Sequence, residues 1–335
     1  MRSLILIFAG LAYVGFHLHM TDSKTESQYV LPGPATPRSA EPRFEYYWVS
    51  HEETREAHSA NVSVSNGTPI AVWYGGTEEG HADVALFMSR FEDSWSEPKI
   101  FVDRRVTQEG LNRHIRKVGN PTIHIWPDGA LGVFYVSVSI GGWGASAINY
   151  IESGDLGSTW TDPRRLVTSP FLNISTLVRT PPVQLQDGSI ELPVYHEFIG
   201  KFSESLHVAR DITVIDKRRI SWGTYSLQPS IAPINERQSI ALQRYAGEPP
   251  GRVLSSTSLD TGINWSSPER LSLPNPNSAV ALLNTGDGHL LLALNDTEDG
   301  RNRLSLATQK VGEDTWHIIR TIEEEVDTEN EEFEF

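Results

Sequence analysis

The chain has 335 residues, and its 43 acidic side chains against 28 Lys and Arg leave a formal charge of −15. That balance argues against nucleic acid as a partner, because holding phosphates takes concentrated positive charge. There is no cysteine, so neither a disulfide framework nor a thiolate nucleophile is available. No His/Asp/Glu group has zinc spacing, and neither a metal nor a cofactor is expected.

In chain order, Arg2 precedes the apolar stretch 4–16. A basic start with a short apolar core reads as a secretory signal peptide or a short membrane anchor over residues 1–20. The protein is then expected to be exported, periplasmic or extracellular, with residues 4–20 able to attach it to a membrane. Residues 21–43 hold Pro32, Pro34, Pro37 and Pro42 and read as a linker. One β domain is expected from Phe44 to Phe335. The acidic run from Glu323 to Glu334 reads as a solvated tail.

Within that domain a turn dipeptide followed by an apolar run recurs. Asn66-Gly67 precedes Ile70–Tyr74, Asp128-Gly129 precedes Leu131–Tyr135, and Asp187-Gly188 precedes Ile190–Tyr195. Asn235-Glu236 before Ile240 is a worn copy, and Asp287-Gly288 precedes Leu290–Leu294. Such dipeptides between apolar runs signal tight hairpins, since the favoured turn needs positive φ. A second motif keeps step with the first. Ser153–Trp160 reads S-x-D-x-G-x-T-W, and Ser258–Trp265 reads S-x-D-x-G-x-x-W. Turn and Trp lie about thirty residues apart in four units, and each unit of about fifty to sixty residues has room for four short strands. That is the period of a β-propeller blade. In these turns the Asp accepts backbone N–H groups, the Gly supplies conformational freedom, and the Trp locks the hairpin to its blade.

The turns resemble the Asp-box repeats of sialidases (neuraminidases), and the chain is most similar to the predicted-neuraminidase group with BNR repeats. Further residues carry the resemblance: His58-Ser59-Ala60, Val72–Gly80, Asp83-Val84-Ala85, Gly119-Asn120-Pro121, Leu192–Glu197, Gln228-Pro229-Ser230 and Pro274–Ser278. The resemblance implies an all-β, six-bladed propeller with its site at the central mouth. The last blade must be incomplete, or be closed by a strand near Tyr46-Tyr47-Trp48. It also implies an exo-sialidase-like glycoside hydrolase acting on terminal acidic sugars. Three arginines would clamp the carboxylate, a Glu-polarised Tyr would attack the anomeric carbon, and an Asp would serve as acid/base.

The carry-over is partial. Arg244 matches one clamp arginine, and Arg301 or Arg303 another. The slot of the first arginine reads His58-Ser59-Ala60. The slot of the activating Glu lies near Gln228, an amide that cannot act as a base. The attacking Tyr has no counterpart up to Phe335. Glu78, Glu79 and Asp83 occupy the loop that would bear the acid/base.

Other candidates come from position. His58 opens the first blade and can act near neutral pH or simply pack. Arg179 holds the equivalent place in the third unit. Strand alternation sends Tyr195 and Glu197 to one side and His196 to the other. Asn120, Asn275 and Asn277 can cap turns or bind sugar. Trp143, flanked by glycines, can stack on a sugar or tuck inward. The catalytic candidates are therefore His58, Glu78, Glu79, Asp83 and Glu197. The binding candidates are Arg179, Tyr195, Gln228, Arg244 and Arg301. The expected partner is an acidic glycan, bound by a monomer. Two alternatives remain open: a uronate-directed glycosidase or lyase, and a glycan-binding propeller without catalysis.

Overall fold

The computed structural model describes residues 27–33, 44–50, 54–170, 173–223 and 225–324. The segment read as a signal or anchor, and the acidic run beyond Glu324, lie outside the described residues.

Five four-stranded antiparallel sheets follow one another along the chain. The first holds β1 (Glu56–Ser65), β2 (Thr68–Gly76), β3 (Ala85–Arg90) and β4 (Lys99–Val102). The second holds β5 (Lys117–Ile125), β6 (Leu131–Val138), β7 (Ser146–Ser153) and β8 (Arg164–Arg165). The third holds β9 (Val183–Gln184), β10 (Ile190–His196), β11 (Phe202–Val208) and β12 (Val214–Arg219). The fourth holds β13 (Ser226–Pro233), β14 (Ser239–Tyr245), β15 (Arg252–Ser258) and β16 (Glu269–Pro274). The fifth holds β17 (Ala281–Asn284), β18 (His289–Asn295), β19 (Arg303–Lys310) and β20 (His317–Glu324). A short helix, α1 (Arg104–Leu111), links the first two sheets, its N-terminus capped by Asp103.

The inner strands pack side by side, β1 against β5 and β13 against β17, with β9 and β10 of the third sheet beside β13. Apolar side chains fill the wedges between neighbours. Ile70, Val72 and Leu86 meet Val118, Val133 and Ile151 between the first and second sheets. Phe134, Val136 and Ile148 meet Leu192, Val194 and Leu206 between the second and third. This is the propeller class expected from the repeats.

The blade count differs from the expectation. The described residues form five blades, not six. The turns read in the sequence numbered five, and each forms the first hairpin of a sheet or, in the third, its β9–β10 hairpin; the sixth blade rested on the resemblance alone. Between the fifth and first sheets, residues 44–50 form no strand. They bridge the two by side chains instead. The Tyr46 hydroxyl donates to the Ile322 carbonyl at 2.6 Å, Arg320 sits over Phe44, and Tyr47 meets Phe91 edge-on. A mostly apolar cavity of about 400 Å³ lies between Ala60 and Val62 of the first sheet and Leu283, Leu291 and Leu306 of the fifth, and reaches Arg179, Thr180 and Ser230.

The two Asp-box turns have matching hydrogen bonds. Asp155 Oδ1 accepts from Ser153 Oγ and Thr159 N, and Oδ2 accepts from Thr159 Oγ1. Asp260 repeats the pattern with Ser258 and Asn264. The Asp155 carboxyl is held down to about 2, chiefly by the Thr159 hydroxyl and backbone. Trp160 stacks on Phe101 of the preceding sheet, centroids 4.8 Å apart, so the turn fastens its blade to its neighbour.

Residues 27–33, within the stretch read as a linker, dock between the third and fourth sheets. Tyr29 N donates to the Glu236 carbonyl, Val30 N to Gln184 and Gln186 N to Gln28. The Tyr29 ring is fully buried, and its hydroxyl donates to Glu191 Oε2 at 2.6 Å. Glu191 also accepts from Ser205 at 2.8 Å, and burial raises its pKa. Gly262 of the second Asp box packs on this carboxylate. A Cβ there would lie 2.1 Å from Glu191 Oε1, and its φ is +73°. A residue forced into this left-handed conformation costs about 1–3 kcal/mol before any clash is counted. Gly262→Ala should therefore lower the thermal midpoint sharply. Gly154→Ala, in the other Asp box with open space around its Cβ, should leave it within about a degree or two. Thermal unfolding of the two variants checks this.

Candidate functional site

Three innermost strands carry the same irregularity. The ladders shift register between His58 and Asn61, between Gly119 and Thr122 and between Leu227 and Ser230. At each bulge one residue turns left-handed: Ser59 at φ 55°, Asn120 at 46° and Gln228 at 49°. A bulge re-aims the side chain it frees. Here it delivers Asn120 and Gln228 to a cavity at the mouth of the axis.

That cavity, of about 220 Å³, draws on all five sheets. The first sheet gives Tyr74 and Glu79, the second Asn120 and Trp143, the third Arg179, Tyr195 and Glu197, the fourth Gln228 and Arg244, and the fifth Arg301. Of the residues singled out from sequence, the structure brings nine together here: Glu79, Asn120, Trp143, Arg179, Tyr195, Glu197, Gln228, Arg244 and Arg301.

Two of the arginines are braced by one loop residue. Arg244 Nε donates to Asn277 Oδ1 at 2.8 Å, and Arg301 Nη2 donates to the Asn277 carbonyl at 2.7 Å. Arg244 Nη1 also donates to Gln228 Oε1 at 3.2 Å. Arg179 differs. Its backbone carbonyl accepts from the buried Asn61 amide at 2.9 Å, but its Nη2 is buried with no hydrogen-bond partner. A buried guanidinium donor without an acceptor is costly, and an anion entering the cavity would satisfy it.

The Tyr195 hydroxyl accepts from Asn120 Nδ2 at 3.1 Å and from Gln228 Nε2 at 3.5 Å. Burial and the nearby Glu197 push its pKa up to about 12, so the phenol holds its proton at neutral pH. Burial also raises the pKa of Glu197, with Arg244 and Lys201 opposing. Glu79 Oε1 accepts from the Trp143 indole at 3.1 Å, and its backbone N–H is held by Glu56 Oε2 at 2.7 Å. Trp143 lies under the Lys117 ammonium, 3.9 Å from the ring centroid.

Three catalytic candidates do not line this cavity. His58 lies 5.5 Å from the Tyr74 ring and fronts a different hollow, formed by Val49, Ala71 and Trp73. The β1 bulge begins immediately after it, and a one-residue offset in a strand reverses the face. Glu78 is exposed on the β2–β3 loop. Asp83 is occupied on the same loop by the Thr77 hydroxyl and by His81 Nδ1. The Thr77 hydroxyl bond, with His81, holds its pKa to about 2, so at neutral pH it has no proton to donate. His196, as alternation required, points away from the mouth and pairs with Glu204 at 2.6 Å.

Tyr74, Glu56 and Leu177 escaped sequence reasoning. Tyr74 had a signal: it stands seven positions after turn glycine Gly67, as Tyr195 does after Gly188.

A family model described as a BNR repeat-like domain matches residues 67–334. The chain belongs to the BNR repeat-like domain family. Among solved structures it is similar to the Hadza microbial sialidase Hz136, with TM-score 0.67 and 15% identity over 81% of this chain and 60% of that one. It is similar to the NanB sialidase of Streptococcus pneumoniae, with TM-score 0.65 and 10% identity over 87% and 64%. It is equally similar to a protein of unknown function from Dyadobacter fermentans, with TM-score 0.67 and 13% identity over 82% and 86%. The chain thus spans less than two thirds of the length of these two sialidases. At such identities the likeness is one of fold. A search of curated proteins gives no match.

Gly119 underlies the Trp143 ring, and a Cβ on it would stand 2.8 Å from Cη2. Gly119→Ala should displace the indole and loosen Glu79. Loss of near-ultraviolet circular dichroism from that ring would report the shift, with the thermal midpoint falling far less than in Gly262→Ala.

Proposed function

We propose that this mouth binds the carboxylate of a terminal acidic sugar and that the protein is a sialidase-like glycoside hydrolase of exported glycan metabolism. The observation that carries the reading is the convergence of Arg179, Arg244 and Arg301 on one small cavity, with Arg179 Nη2 buried and unpartnered among the described residues. Guanidinium forks match carboxylate oxygens. Glu197, whose raised pKa favours the protonated form, is the group to protonate the glycosidic oxygen as the bond to the anomeric carbon breaks. Glu79 is the second carboxylate, able to take a proton from the water that adds to that carbon. Tyr195 and Asn120 supply hydrogen bonds to ring hydroxyls.

A second reading has a specific observation behind it. Gln228 is an amide held between Tyr195 and Arg244, and as an amide it cannot take a proton from the Tyr195 hydroxyl it touches. Both facts also suit a glycan-binding propeller without turnover. The same arginines would accept a uronate in place of a sialic acid.

Fluorogenic sialosides and uronides, with calorimetry on the free sugars, separate these. Hydrolysis is expected. Arg179→Ala should weaken binding at least about tenfold, since a hydrogen bond to a charged group is worth about 1.5–3 kcal/mol. Gln228→Ala should cost less than Arg244→Ala. Binding without turnover would leave only the second reading, and no binding of any acidic sugar would remove both.

The pH profile is a separate check. A carboxyl with a raised pKa keeps its proton to higher pH, so activity resting on Glu197 as donor should fall as pH rises through that pKa. Glu197→Gln should abolish turnover of substrates with poor leaving groups. With an activated aryl leaving group it should leave measurable turnover and remove the basic limb of the profile.

A further inference from the structure

On the far face of β10 from Tyr195 and Glu197, four planar groups are layered. The His196 ring stacks on Phe202, with centroids 4.5 Å apart and planes 23° apart. The Arg219 guanidinium lies 3.7 Å from the centre of the Phe202 ring and 4.4 Å from the centre of the Trp222 ring. The column is fixed at its base by Glu204, which is almost wholly buried. Glu204 accepts from His196 at 2.6 Å, from Lys217 at 2.9 Å and from Arg219 at 3.0 Å. Three cationic or polar partners on one buried carboxylate leave the arginine little freedom, and the arginine in turn holds the indole.

The outermost plate, Trp222, is 76% exposed. Leaving most of an indole in water forgoes a sizeable burial free energy, yet the ring is not loose, because its inner face is pinned by a fixed cation. It stands just past the end of β12. Because β10 and β12 run the same way in this sheet, that is the end at which Tyr195 and Glu197 reach the mouth. Phe198 and Tyr225, 61% and 54% exposed, stand at the same end of the third and fourth sheets.

We infer that Trp222 is a stacking platform for a second sugar ring, so that the ligand is an oligosaccharide whose terminal acidic residue enters the mouth and whose following rings lie across the third sheet's outer end. This rests on the proposed function for the terminal residue and adds the chain length and the direction in which the glycan leaves. A pyranose ring offers a flat face of C–H groups to an indole, and the column presents a rigid plate that needs no ordering on binding.

Calorimetry with N-acetylneuraminic acid against sialyllactose, and with galacturonic acid against tetragalacturonate, tests it. The wild type should bind the longer member of the preferred pair about tenfold more tightly, the equivalent of about 1.4 kcal/mol. Trp222→Ala should remove that advantage while leaving monosaccharide affinity within about twofold, and Trp222→Phe should keep part of it. An advantage that persists in Trp222→Ala, or longer ligands that bind no better than monosaccharides, would overturn the inference. If no monosaccharide binds but oligosaccharides do so in a Trp222-dependent way, the platform stands and the carboxylate reading falls. If neither binds, both fall.

Discussion

The mouth depends on polar side chains that stitch one blade to the next at the axis. Asn61, buried on β1, donates to the Pro121 and Arg179 carbonyls and accepts from Thr122, tying three sheets at one point. Thr180 donates to the Pro229 carbonyl, Ser230 accepts from Leu282 N, and Asn284 reaches Pro233. Apart from the Thr122–Asn61 pair, each bond satisfies a backbone group that a curved inner edge would otherwise leave buried without a partner. Together they fix the height of each inner strand, and so the points from which Arg179, Gln228 and Arg244 reach inward. The apolar wedges hold the blades together, but apolar packing is non-directional and would tolerate the small slips that would scatter these groups.

The same stitching explains why the site mixes rigid and waiting parts. Arg244 and Arg301 are pre-positioned by Asn277, while Arg179 is anchored through its backbone and keeps a buried donor open. Preorganised donors lower the cost of receiving an anion. Tyr29, on the strap between the third and fourth sheets, seats on Glu191 beneath an Asp-box glycine. The peripheral turns are thereby coupled to the sheets that carry most of the mouth.

Much of the architecture was legible in the residues. Hairpin dipeptides and Asp-box turns report local φ requirements, so they marked each blade. Alternation along β10 separated Tyr195 and Glu197 from His196 correctly, because that strand is regular up to its end. His58, expected at the mouth, fronts another hollow for the opposite reason. The bulge that follows it is a tertiary feature, with left-handed Ser59, Asn120 and Gln228. Two of those three precede a proline, where local sterics favour extended backbone, so no propensity could have announced them. The sixth blade came from the resemblance, whereas the turns in the chain number five. Trp222 left no signal either, since the column beneath it assembles residues from three strands.

The most direct measurement is a crystal structure of the protein soaked with N-acetylneuraminic acid. The account predicts its carboxylate in the axial mouth, with an oxygen about 3 Å from Arg179 Nη2 and Arg244 and Arg301 flanking it. A sugar bound elsewhere on the blades, or a mouth that holds it with the carboxylate turned away from Arg179, would contradict the account.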